Sequence, residues 1–166
     1  MEFLNGRQRK TELQGVGGWL LLFCVLVTII GPAVAVFSYS AEFARILESW
    51  DGFGTVATFH LVVDVAGLGL TAFAVYAGMA LWTIRPNAVR TAKSFLIVGF
   101  AFRAITELAC LSLGTSDLFW VPAPTVESTV GDEVRNAISF VIWFTYFKES
   151  KRVKATYGSP DAGAAR

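Results

Sequence analysis

Residues 100–111 read FAFRAITELACL, and the reading of Arg103 and Glu107 decides the fold. They are the only charged residues in 94–113, a run of the roughly 20 residues needed to cross a bilayer core of about 30 Å. A charge at the centre of a membrane helix costs about 2.5–3.5 kcal/mol on insertion scales. If this segment is a span, something inside the protein must offset that cost.

The rest of the chain supports a span. It has 166 residues, enough for one domain of ordinary size. Hydrophobic residues make up 54% and charged ones 16%, with a mean hydropathy of +0.55. Soluble domains carry about 25% charged residues, so this chain has too few to cover a water-facing surface. Its 14 Phe, 5 Trp and 15 Gly suit a membrane protein, with aromatics at interfaces and small residues between helices. Cys24 and Cys110 fall inside apolar segments at different depths, so both are expected as free packing residues.

Four segments are long enough to draw as spans. The first covers 17 to about 37, with no charge from 13 to 41. The second covers about 55–84 and contains only His60 and Asp64 before Arg85. The third is 94–113. The uncharged part of the fourth, 136–147, would reach only about 18 Å at 1.5 Å per residue. It must therefore start near Asp132, giving a span of 132–148 that takes Arg135 into the edge of the bilayer.

Loop charges test this count independently. Arg7, Arg9 and Lys10 precede the first segment; Arg85, Arg90 and Lys93 lie between the second and third; Lys148, Lys151, Arg152 and Lys154 follow the fourth. The loop after the first has one cation, Arg45, against Glu42, Glu48 and Asp51. The loop after the third has Asp117, Glu127, Asp132 and Glu133 before Arg135. Basic and acidic segments alternate as four crossings with both ends in the cytoplasm require. Ala33-Val34-Ala35 looks like a cleavage site, but the apolar run continues to Phe37 and exceeds an ordinary signal core.

The first external loop, AEFARILESW at 41–50, places Phe43, Ile46, Leu47 and Trp50 at i, i+3, i+4 and i+7. That spacing predicts a short amphipathic helix lying on the outer membrane surface. Pro122-Ala123-Pro124 reads as an extended external loop, and 158–166 as a disordered cytoplasmic tail.

Each segment carries a stripe of small and polar residues at helical spacing. The second has His60, Asp64, Gly67, Thr71, Ala74 and Gly78; the third has Gly99, Arg103, Thr106, Glu107 and Cys110. The first offers Gly17, Cys24, Thr28, Gly31 and Ala35, and the fourth Arg135, Ser139 and Tyr146. Small residues let membrane helices approach closely and hydroxyls bond between them, so the stripes are expected to face one another. By depth, His60, Asp64, Arg103, Glu107 and Arg135 can then share the outer half of the bundle interior. One reading is a buried ion-pair network fixing helix rotation, in which loss of one partner costs about 3–5 kcal/mol. The other is a proton, ion or small-solute site, since intramembrane ionisable groups mark such pathways and His60 and Asp64, at i and i+4, form a relay pair. The near balance of charge favours pairing.

Catalytic and cofactor chemistry finds little footing. A single histidine excludes multi-histidine metal sites. Ser112 and His60 lie toward the same face, but no nucleophile-elbow spacing surrounds Ser112. GVGG at 15–18 lacks the lysine of a phosphate loop; it suits tight entry into the membrane, with Trp19 anchoring at the interface. KESKRVK at 148–154 suits anionic headgroups, through Lys148, Lys151, Arg152 and Lys154, rather than nucleic acid.

With GVGGWLLL near the start and FVIWFTYFKESKRVKATY near the end, the chain resembles the bacterial membrane protein family termed domain of unknown function 2569. Gly17, Gly18, Trp19 and Leu20 match its entry motif. Arg135 matches an arginine opening the last helix. Trp143, Tyr146, Phe147, Ser150, Lys151, Arg152, Val153 and Lys154 match its exit. The resemblance covers about 15–157, the middle in hydropathy alone. It implies a four-helix, multi-pass inner-membrane protein and no particular activity.

The expectation is thus an all-α membrane protein: a four-transmembrane-helix bundle over 1–157, N-in and C-in, with a short interfacial helix in the first external loop. No cofactor or metal is expected. The partners expected are the lipid bilayer and another membrane protein or a second copy. The role expected is non-enzymatic, as an accessory or assembly component; the alternative is a small transporter or proton- or ion-conducting subunit.

Overall fold

The computed structural model describes residues 15–48, 54–113 and 126–158. Expectations for the proline loop, for the Trp50 end of the first loop and for residues 159–166 of the tail lie outside these. Among the described residues the chain is helical throughout, without strands. Helix α1 (Trp19–Val25) passes through a wider π turn (Leu26–Ile30) into α2 (Gly31–Glu48). Then come α3 (Thr55–Trp82), α4 (Ala88–Leu113), α5 (Val126–Glu149) and the short α6 (Lys151–Tyr157).

The π turn has a local cause. Pro32 has no N–H to give Thr28, and its ring crowds that carbonyl. The chain widens there, and the Gly31 N–H donates to the Leu26 carbonyl five residues back. The helical path then continues to Glu48. Residues 41–48 of the expected separate surface helix are instead the end of α2, because nothing in 37–41 breaks the helix: the Ser40 hydroxyl donates to the Phe37 carbonyl of its own turn.

Among the described residues two helices are long and apolar enough to cross a membrane: Trp19–Ser40, with mean hydropathy 2.8, and Thr58–Trp82, with 1.8. Only 17% and 22% of their apolar windows are buried. The core helix of a soluble protein would be mostly buried, so the apolar sides here face outward. On α3, Val62, Val65, Leu68, Tyr76 and Met79 are exposed, whereas Gly67, Ala74, Ala77 and Gly78 are buried. Small residues on one face let α3 approach its neighbours closely, with its large apolar residues on the other.

The chain turns back between α3 and α4 within 83–87. The Arg85 N–H bonds the Ala80 carbonyl and the Ile84 N–H the Leu81 carbonyl, a Schellman closure with Ile84 at φ 47°. A β-branched residue is strained in that left-handed conformation. Its neighbours hold it: Ala80 and Leu81 are buried, and the Tyr157 hydroxyl donates to the Leu81 carbonyl at 2.7 Å. Burial pushes the Tyr157 phenol well above the ordinary tyrosine range, with lesser contributions from Cys24 and Tyr146, so it remains a neutral donor at physiological pH.

The core is one-sided. Its buried apolar residues are Leu20, Phe23, Cys24 and Val27 on the first helix; Ala74, Ala77, Ala80 and Leu81 on α3; Ala88 and Ala92 on α4; and Phe147 and Val153 on α5 and α6. All lie at the end where α1 begins, α3 ends, α4 begins and α5 ends. This is the basic end of the bundle, carrying Arg85, Arg90, Lys93 and Lys148. Toward the acidic end no described apolar residue is buried to that degree.

Candidate functional site

Two arrangements stand out, one at each end of the bundle. Toward the acidic end, Arg103 Nε lies 2.9 Å from Glu107 Oε1, an ion pair across one turn of α4. The Arg103 side chain is nevertheless 52% exposed, and that of Glu107 20%. The Glu107 carboxyl faces the Glu133 carboxyl of α5. Glu107 Oε2, Glu133 Oε1 and Asn136 Nδ2 are buried without a hydrogen-bond partner. His60 and Asp64 are half-buried one turn apart on α3, the His60 ring edge-on to Phe59 with centroids 5.7 Å apart.

Arg135 does not enter this group. It pairs with Asp132 on its own helix, and its side chain is 77% exposed. The expected fourth stripe of Arg135, Ser139 and Tyr146 is therefore split: Arg135 and Ser139 are exposed, and Tyr146 alone packs against the core. The inward face of α5 is Glu133, Asn136, Phe140, Phe144 and Phe147, at steps of three and four. Phe140 stacks on Phe100 of α4 at 5.0 Å, and Phe147 meets Phe23 edge-on at 4.8 Å. Large rings bury more area than small polar residues and set the helix rotation. Glu133 was thus the residue missed. Its signal was its place seven residues before Phe140, on the aromatic stripe, and counting it as a loop charge concealed it.

Ser112 donates to the Ala109 carbonyl of its own helix at 2.8 Å, so its hydroxyl is spent locally. Among the described residues no three His, Cys, Asp or Glu side chains converge as a metal site needs.

At the basic end the two terminal motifs meet. Trp19 lies edge-on to Trp143 at 6.2 Å, and Phe23 packs against Trp143 at 4.9 Å. Tyr146 completes this cluster against Trp143 and Phe147. After α5 the chain breaks at Ser150, whose hydroxyl accepts the Val153 N–H and caps α6. α6 folds back: the Gly15 N–H donates to the Thr156 hydroxyl at 3.1 Å, and Val153 is buried. The Arg152 guanidinium lies over Gly17, where an added Cβ would come within 2.6 Å of Nη1. Arg152 is thereby a packing residue as well as a surface cation. Trp19, Lys148, Lys151 and Lys154 remain exposed, with Lys154 3.7 Å from Glu149.

The residues carrying the family resemblance, Gly17 to Leu20 and Trp143 to Lys154, thus form one contact surface closing the bundle rather than two separate signatures. No curated protein and no solved structure matches the chain. The family model described as protein of unknown function (DUF2569) matches residues 13–158, so the chain belongs to that family.

Proposed function

We propose that the chain is a four-span protein of the bacterial cytoplasmic membrane, with both termini cytoplasmic, acting as a non-enzymatic accessory or assembly component that binds another membrane protein. One observation carries the reading. Arg103 is ion-paired but half exposed, at the end of the bundle where none of the described apolar residues is buried. A charged group open to hydrocarbon is costly, and a polar helix of a second membrane protein relieves that cost through interhelical hydrogen bonds. The basic end holds the chain together; the open end takes the partner. The alternation of basic and acidic connections supports the orientation, and a reporter fused after Lys154 is expected to read cytoplasmic. An external signal there would sink the four-span orientation.

Capture in mild detergent tests the partner. The wild-type chain is expected to bring down a membrane protein at fixed stoichiometry, and Arg103→Gln to lose at least tenfold of it while keeping its folded yield. The transport reading rests on Glu107 of α4 and Glu133 of α5, each with a buried carboxyl oxygen that has no hydrogen-bond partner, since intramembrane ionisable groups mark proton and ion pathways. If the chain alone supports pH-dependent flux in proteoliposomes, and Glu107→Gln abolishes it with capture unchanged, the transport reading replaces this one.

A further inference from the structure

At the basic end a cleft of about 640 Å³ opens between the start of α4, the end of α5 and α6. Arg90 and Lys93 stand on one wall, Lys148 and Lys154 on the other, against a single carboxylate, Glu149. The floor is apolar: Phe147 and Val153 are buried, and Ile97 and Phe144 continue the apolar surface along α4 and α5 toward the middle of the chain's helices. Lys93 is held in place with its ammonium 5.7 Å from the Phe144 ring centroid, a cation–π contact. Glu149 offsets part of the charge by pairing with Lys154. The first turn of α4 borders the cleft, so the positive end of its dipole adds to the field.

We propose that this cleft is a discrete binding site for an anionic phospholipid, its phosphate held between Arg90, Lys93, Lys148 and Lys154 and an acyl chain lying along Ile97 and Phe144. The proposal rests on the membrane placement proposed above, which sets the cleft at headgroup level. Two features separate it from general attraction of a basic tail to a charged surface. The cations come from opposite walls, 55 to 64 residues apart in sequence, and they line one cleft. Two other cations of the same tail do not take part: Lys151 lies outside the lining, and Arg152 is turned onto Gly17. A free phosphate compound would satisfy the cations and leave the apolar floor uncovered, so the lipid is the better fit.

The experiment is native mass spectrometry of the full chain in a non-ionic detergent, titrated with phosphatidylglycerol, with phosphatidylcholine and with inorganic phosphate. The wild type is expected to take up one phosphatidylglycerol at least tenfold more tightly than phosphatidylcholine, and millimolar inorganic phosphate is expected not to displace it. A cation near a headgroup is worth about a fivefold change in affinity, so R90Q/K93Q is expected to weaken binding about 25-fold. K148Q/K154Q, on the other wall, is expected to do the same and guards against a folding defect in the first pair. K151Q is expected to stay within twofold of wild type. Equal affinity for both lipids would overturn the proposal, as would an equal loss in K151Q, which would mean diffuse attraction. Complete displacement by inorganic phosphate would also overturn it, in favour of a soluble phosphate ligand. Binding in detergent does not depend on orientation or on a partner at the open end, so its failure is distinguishable from failure of the functional proposal.

Discussion

Phe23→Ala is expected to destabilise the folded chain by about 3 kcal/mol, the lower end of the cost of deleting a buried phenylalanine ring. The lower end applies because the transfer part of that cost shrinks where the alternative surroundings are hydrocarbon, whereas the cavity part remains. Phe23 is 2% exposed and lies between Trp143 and Phe147 of α5. With the ring gone, the entry of the first helix loses its main grip on the exit of the last. Equilibrium unfolding of purified protein, titrated with SDS against a mild detergent, reads the change. Phe37→Ala, at a position 77% exposed, should shift the same midpoint by less than about 0.5 kcal/mol. Equal effects at both positions would mean that the terminal motifs do not close the bundle.

Gly78→Val should cost about 1–3 kcal/mol by overpacking. A Cβ at Gly78 would overlap the Thr28 methyl and come within 3.6 Å of Val27 Cγ1. Thr28 cannot readily turn aside. It is β-branched and stiff at χ1, and its hydroxyl donates to the Cys24 carbonyl at 2.6 Å while accepting from Trp82 Nε1 at 3.4 Å. Either α3 backs away from the π turn or Thr28 gives up both bonds. Gly78→Ala should be milder, and pairing it with Thr28→Ser, which removes the overlapped methyl, should recover most of the loss. That non-additivity is the signature of direct contact. Unchanged stability in Gly78→Val would mean that the two helices are not in close contact there.

Much of the fold was legible because it depends on patterns local to the chain. The apolar lengths of the first two long helices, the basic connection between the second and third segments and the small-residue face of α3 follow from hydropathy, charge and helical period alone. The stripe of Gly67, Ala74 and Gly78 is buried where its spacing put it. The pairing of Arg103 with Glu107 is likewise a matter of one helical turn. Helix ends were less legible. α4 begins at Ala88 and α5 at Val126, six residues before each expected span, because helices extend past the apolar part into polar residues that hydropathy discards.

The rotation of α5 was misread for a definite reason. The rule that small and polar residues face inward holds for α3, where glycine allows close approach. On α5 it gives way to Phe140, Phe144 and Phe147, whose rings find Phe100 and Phe23 on other helices. Arg135 is consequently turned out onto Asp132, and Glu133 is brought to Glu107. The basic run of α6 suits headgroups on its sequence alone; its bonds to Gly15 and Leu81 need partners 141 and 76 positions away.

By itself, then, the sequence determined that this is a helical chain with apolar runs long enough to cross a membrane, joined by alternately basic and acidic connections, with Arg103 and Glu107 one turn apart inside its third apolar segment. Those properties are written along the chain, in length, period and charge. Only the tertiary structure decided which carboxylate faces Glu107, that the two terminal motifs are one contact, and that four cations from distant segments line one cleft. Each of these depends on how far a helix is turned about its axis. That angle is set by the shapes of side chains packing from other helices, which no single segment contains.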